Sequence, residues 1–437
     1  MIPRSTQLAA LLVVLTASTA AGQPAAGDPQ SEPGGAIALP ADAGLPAAVP
    51  ESAGMSSEGL ARIGPAMRAY VDDGRLAGVM TMVARHGQVV HWETAGMRDV
   101  AAGDALEPDD IFRIYSMTKP LTSVAVMILV EEGAVALDDP VAKFIPAFAG
   151  VTVLNDAGGR AAPVRPMTVE HLLTHTSGLT YGFFGDSPVD RIYGQSGFFT
   201  QAEGLDDFAR RVADLPLLAS PGDRWNYSVS TDILGRVVEV ASGQPFDAFL
   251  QARIFDPLDM SDTSFVVPAD KRDRFTVHYA RPDGTLQVID SPVDGQYTQR
   301  PRWLSGGGGL ASTASDYIRF AQMLLQDGEL GGVRILESET VQAMRSNRLT
   351  DALVPIQLGS FLSPGYGFGL GFAVVVDADA SPEPDNDGVF RWAGAANTFF
   401  WIDPAAELIG MVWTQLNPFA AYDLEREFQT LVYEALE

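Results

Sequence analysis

Cysteine is absent from the 437 residues, which excludes disulfides, thiolate nucleophiles, cysteine-ligated metals and lipid attached to a cysteine. Lysine is almost absent too: Lys119, Lys143 and Lys271 are the three in the chain, and arginine carries the other positive charges. Acidic residues outnumber basic ones 55 to 29, for a formal charge of −26. Nucleic acid, which needs a basic footprint, is therefore not an expected partner. Such acidity suits a solvated, self-repelling surface and specifies no chemistry. No segment offers about 18 uninterrupted apolar residues, so stable membrane insertion is not expected. A Gly-x-Ser-x-Gly elbow is missing as well, and no Gly-Lys-Ser or Gly-Lys-Thr follows the run Gly306 to Gly309. These gaps remove the α/β-hydrolase nucleophile and the phosphate loop from consideration.

What is present is apolar material, 46% of the chain, enough for a large core or for two lobes sharing a cleft. In residues 1–22, Arg4 precedes an apolar run, Leu8 to Leu15, and then small residues from Ala17 to Ala21. That order predicts a cleavable secretory signal and export, to periplasm or medium. Residues 23–50, rich in Ala, Pro and Gly, read as a disordered leader, with the folded domain spanning 51–437. Leu60, Ile63, Met67, Tyr70 and Val71 recur at helical spacing. Val79–Ala84 and Val89–Trp92 predict a hairpin. Helical patterns dominate from about 111 to 304, and a helix over about 315–326 has Thr313 and Asp316 spaced as a capping box. Strands follow at 368–376, 388–392, 398–402 and 408–414, then a final helix at 422–436. This order predicts a sheet lobe from both chain ends, about 51–110 and 305–437, with a mostly helical lobe of about 111–304 inserted. The cleft between them is the expected site.

Ser116-Met117-Thr118-Lys119 lies just before an apolar helix, where i to i+3 spacing puts hydroxyl and amine on one face. A serine needs a base to become a nucleophile, and a buried lysine can be that base once neutral. Arginine cannot, so lysine at 119, in a chain that otherwise uses arginine, points to a titrating role. Tyr227, in a turn leading into a helix, supplies a phenol that relays a proton to a leaving alkoxide. Arg391-Trp392-Ala393-Gly394-Ala395-Ala396-Asn397 is a strand whose small residues permit close approach to substrate, with Gly394 and Trp392 as candidate binding residues. A backbone N–H there, with that of Ser116, can form an oxyanion hole. Tyr181 heads an aromatic group with Phe183, Phe184, Tyr193, Phe198 and Phe199; it reads as an acyl-pocket flap in preference to plain packing.

These segments, with Met167 to Leu179 and Gly306 to Thr313, in this order, resemble the serine β-lactamase and penicillin-binding-protein superfamily. The resemblance is greatest to its class C-like branch, which includes the family VIII carboxylesterases. It implies a β-lactamase-like fold of the α/β plus α type, an antiparallel sheet flanked by helices with an inserted helical lobe. It also implies that Ser116 is acylated, Lys119 is its base partner, Tyr227 relays the proton, and the amides of Ser116 and Ala395 hold the oxyanion. Two departures bear on substrate. Val229 stands where class C enzymes carry an asparagine that binds a substrate amide, and Trp392 stands where they carry a lysine that binds a carboxylate. Both favour a neutral small-molecule ester, with no metal or organic cofactor. A β-lactamase or D-amino-acid peptidase, an acyltransferase, and a non-catalytic receptor for cell-wall fragments or drugs are the alternatives.

The five histidines, His86, His91, His171, His175 and His278, invite a Ser-His-Asp reading that lacks its serine elbow. His171 and His175 have i, i+4 spacing without the intervening glutamate of a zinc helix, and read as a packed helix end and turn.

Overall fold

The computed structural model describes residues 43–155, 158–358 and 361–437. The export signal read in 1–22, and the leader as far as residue 42, lie outside the described residues. The remainder of that leader is ordered, which corrects the boundary at 51. Ala43 is buried, Ala47 bridges Val89, and Val89 N–H donates to Pro46 O at 2.8 Å. A composition poor in large apolar groups still offers backbone carbonyls, and Val89 uses one.

Val79 and its neighbours form strand β1 (Gly78–Arg85), paired with β2 (Gln88–Asp99), which pairs in turn with the two-residue β3 (Asp104–Ala105). From the other end of the chain come β4 (Tyr366–Phe368), β5 (Ala373–Val375), β6 (Phe390–Gly394), β7 (Thr398–Asp403) and β8 (Leu408–Trp413). Together they make one antiparallel sheet in the order β4-β5-β6-β7-β8-β1-β2-β3. The N-terminal hairpin therefore joins the C-terminal meander along the β1–β8 seam, where Met82 faces Met411. Strands β7 and β8 are buried throughout, because helices cover both faces. Successive side chains point to opposite faces. Phe400 accordingly meets Tyr317 of one helix (Ala314–Leu325), with ring centroids 5.1 Å apart, and Trp401 meets Phe428 of another (Leu424–Glu434) at 5.4 Å.

Three sequence expectations change in detail. The apolar run 368–376 is the hairpin β4–β5, since Gly371 turns the chain at φ 102°. A Cβ there would lie 2.2 Å from Ser123 Oγ. The capping box at Thr313 is half formed: Thr313 Oγ1 accepts from Asp316 N–H, but the Asp316 carboxylate is taken by Asp262 N–H and the Thr263 hydroxyl. The mostly helical region 111–304 also contributes a small sheet that was not foreseen, in which His278–Ala280 and Gln287–Asp290 pair as strands with Leu416–Asn417 alongside. The two lobes are parts of one compact unit.

The helices that position the site are α1 (Thr118–Glu131) and α2 (Ser230–Ser242). α1 is buried from Thr118 to Leu129 and apolar on every side from Val124 to Val130, with its polar residues Thr118, Lys119, Thr122 and Ser123 gathered at the N-terminal end. Pro120 falls in its first turn, where no intrahelical N–H is lost.

Candidate active site

The chain enters α1 through a single 3₁₀ turn, Tyr115–Met117, whose first residue, Tyr115, lies in the left-handed region at φ 41°. An L side chain rarely holds that conformation, and here the Tyr115 hydroxyl bonds His278 Nδ1 at 3.1 Å. The turn leaves Ser116 half-exposed, with Lys119 buried beneath it at 1% exposure. Lys119 Nζ donates to Ser116 Oγ at 3.1 Å, to Tyr181 Oη at 3.0 Å and to Gly307 O at 2.6 Å. Tyr227 Oη donates to Ser116 Oγ at 2.7 Å. Lys119 Nζ also sits 4.6 Å from the centroid of the Tyr227 ring.

Tyr227 is held from both sides. Asn226 N–H donates to His175 O and its side-chain amide to Leu179 O, both at 2.8 Å. The rings of His175 and Trp392 lie 4.9 and 5.2 Å from the phenol ring. Burial keeps His175 well below the usual histidine range, with Lys119 adding to the effect, so it packs as a neutral ring. Burial likewise pushes the Tyr181 hydroxyl well up, helped by Tyr227 and Asp232; it faces Lys119 as a neutral phenol.

Strand β6 brings the third segment in. A Cβ on Gly394 would lie 2.3 Å from Ile114 O, so glycine permits the strand to run against the backbone just before the Ser116 turn. Ala395 follows in an exposed turn at the end of this strand. Trp392 is half-buried, packed between Tyr227 and Phe368. Val229 is not in the cleft: it has no exposed surface, and its carbonyl accepts from Asp232 and Ile233 N–H at the start of α2. The position that would bind a substrate amide is here used to begin a helix and fill the core.

The structure also brings in groups that sequence reasoning left aside. Tyr181, read as pocket lining, has its hydroxyl on the lysine. The glycine run, read as close packing, lies along α1: Gly306 O accepts from the Thr122 hydroxyl at 2.8 Å, and Gly307 O holds Lys119. Small residues beside a buried cation were the available signal. Phe183 and Phe184 stay partly open to solvent, 59% and 40% exposed, and pack on Tyr181 with centroids 5.2 and 5.8 Å away.

The histidines do other work. His171 Nδ1 accepts from Thr168 N–H to cap a short helix. His91 bonds Thr81 in the sheet, and His86 pairs with Glu407 at the surface. Among the described residues no group of three or more His, Asp or Glu side chains gathers as metal ligands would. Nor is any described helix long and apolar enough to cross a membrane.

A family model described as Beta-lactamase matches residues 65–434. An uncharacterised Mycobacterium tuberculosis protein is 39% identical over 368 residues, 82% of this chain and 90% of its own length. Esterase EstB of Burkholderia gladioli is 32% identical over 364 residues, 78% of this chain and 86% of its own. Among solved structures, EstCE1, described as a hydrolase with promiscuous acyltransferase activity, superposes with a TM-score of 0.75 at 26% identity, covering 86% of this chain and 99% of that one.

Proposed function

Because the chain belongs to the Beta-lactamase family, we propose that this serine hydrolase cleaves uncharged carboxylic esters of small molecules through an acyl-Ser116 intermediate. The observation that carries the reading is the convergence of Lys119 Nζ and Tyr227 Oη on Ser116 Oγ at 3.1 and 2.7 Å. Neutral Lys119 accepts the Ser116 proton as Oγ bonds the ester carbon. The backbone N–H groups of Ser116 and Ala395 receive the oxyanion. As the tetrahedral intermediate collapses, the alkoxide leaves with a proton delivered by way of Tyr227, and Lys119 resupplies Tyr227. Water then attacks the acyl-enzyme by the same path in reverse, restoring Ser116 and releasing the acid.

Support for an ester comes from Trp392, which faces Tyr227 with an indole where a carboxylate-bearing lactam or peptide would need a cation. EstB is named an esterase, and the same activity is proposed here. Tyr181, Phe183 and Phe184 form an aromatic wall suited to an apolar acyl group of short to medium length. We further place the enzyme outside the cytoplasm, on the order of basic, apolar and small residues in 1–22.

Burst and steady-state assays with p-nitrophenyl acetate, butyrate and octanoate, beside nitrocefin, test this on the native chain and on Ser116→Ala. Ester turnover lost in the variant and exceeding nitrocefin turnover in the native chain is the expected result. Turnover surviving in Ser116→Ala would remove the nucleophile. Nitrocefin cleavage without ester cleavage would reverse the substrate class. Added alcohols separate hydrolysis from acyl transfer, the second activity in the description of EstCE1.

A further inference from the structure

Asp232 lies in the first turn of α2, five positions after Tyr227, and is 1% exposed. A buried carboxylate needs donors, and its Oδ1 has two: Ser305 Oγ at 2.6 Å and Gly307 N–H at 2.9 Å. Oδ2 is buried with no donor among the described residues. Gly307 is also the residue whose carbonyl takes Lys119 at 2.6 Å. One glycine therefore binds the acid through its N–H and the amine through its C=O. A Cβ at 307 would stand 2.7 Å from Asp232 Oδ2, so glycine is what lets the carboxylate come so near the backbone of the run Gly306 to Gly309.

We propose that Asp232 is a positioning residue for the Ser116–Lys119 pair. Through Gly307 it fixes the carbonyl that holds Lys119 against Ser116, and its negative charge favours the ammonium, setting the pH at which the amine becomes free to accept the serine proton. The inference rests on the proposed role of Lys119 as base. The polar and titratable groups around the amine come from five elements: Ser116 from its turn, Tyr181 and His175 from the chain between residues 174 and 182, Tyr227 from the turn before α2, Asp232 from α2 itself, and the Gly307 carbonyl from the glycine run. Tyr181 and His175 are held neutral by burial. Asp232 is the group there whose charge opposes that of Lys119: burial pushes its carboxyl up, and Lys119 is the largest influence bringing it back down.

The test is the pH dependence of kcat/KM for p-nitrophenyl butyrate in Asp232→Asn and Ser305→Ala. Asparagine keeps an acceptor for Gly307 N–H and removes the charge. The acid limb of the profile should move down by about one pH unit or more, with kcat lowered about tenfold and KM changed far less. A purely structural role would lower activity at every pH and leave the limb in place, and that result would overturn the proposal. Ser305→Ala removes a neutral donor and leaves the charge less compensated, so its limb should move up. Should Asp232→Asn not fold, Ser305→Ala decides alone, an unmoved or lowered limb counting against the proposal. Ester turnover surviving in Ser116→Ala would overturn the base assignment itself, and with it this inference, whatever the Asp232 profiles show.

Discussion

Tyr181 bears on two steps at once, since its ring forms part of the aromatic wall and its hydroxyl accepts from Lys119. Replacing it with phenylalanine leaves the wall intact and removes one of the three acceptors on the amine. A hydrogen bond to a charged group contributes about 1.5–3 kcal/mol. Tyr181→Phe should therefore lower kcat/KM for short p-nitrophenyl esters by about 10- to 100-fold, with KM nearly unchanged. An unchanged kcat would show that Ser116 and Gly307 hold the amine unaided. At this scale Ser116 and Lys119 were readable because three residues on one turn suffice to join them, and because a lysine is so rare here. The Lys119–Tyr181 contact was not readable, since it spans 62 positions and depends on how the loop after Leu179 folds back.

Strand β6 and the Ser116 turn form the second level. They approach so closely that Gly394 has no room for a methyl group: its Cβ would meet Ile114 O at 2.3 Å and Thr398 Oγ1 at 2.3 Å. A carbonyl in the main chain yields far less than the end of a flexible side chain. Gly394→Ala should lower stability in urea melts by about 1–3 kcal/mol, the usual range for overpacking. Ester turnover should fall further than stability does, because the shift occurs beside Ser116. Turnover and stability both unchanged would mean that the strand can slide without cost. Most elements were legible from period and punctuation, including the β1–β2 hairpin, the buried helix α1 and the last three strands. The β4–β5 hairpin was not, because Phe368 to Val376 carries no polar residue and its turn is marked only by Gly369 and Gly371. Val229 was misplaced for a related reason: a motif position names a residue, and the start of α2 decides which way it faces.

Acid stability belongs to the whole molecule, since it sums groups scattered through the core. Burial pushes Asp110, Asp316 and Glu425 up to about 6. A carboxyl that binds its proton more tightly when folded adds stability as pH falls from about 6 towards its ordinary 3.8 or 4.5. Glu93 and Asp232 shift the same way. Burial lowers His91 and His278 from 6.5 to about 3, and lowers His171 and His175 as well. Those rings charge first in the unfolded chain, so each costs stability as pH falls below 6.5. The two sets oppose each other from about pH 6 to about pH 4, where the urea midpoint should change little. Below about pH 4 the carboxyl gain is complete and the histidine cost still grows, so the midpoint should drop steeply towards pH 3. A steady decline from neutrality would show that the raised carboxyls contribute nothing. The sequence by itself pointed to the family, to the split of the sheet between the chain ends, and to Ser116, Lys119 and Tyr227, which the fold brings within hydrogen-bond distance. Each of these is written in local spacing, period and order along the chain. Tertiary structure alone decided the other partners of the amine. Gly307 and Tyr181 reach Lys119 from separate segments, with Asp232 bonded to the N–H of Gly307 behind it, and a buried amine takes whichever carbonyl or hydroxyl the packing of those segments leaves beside it.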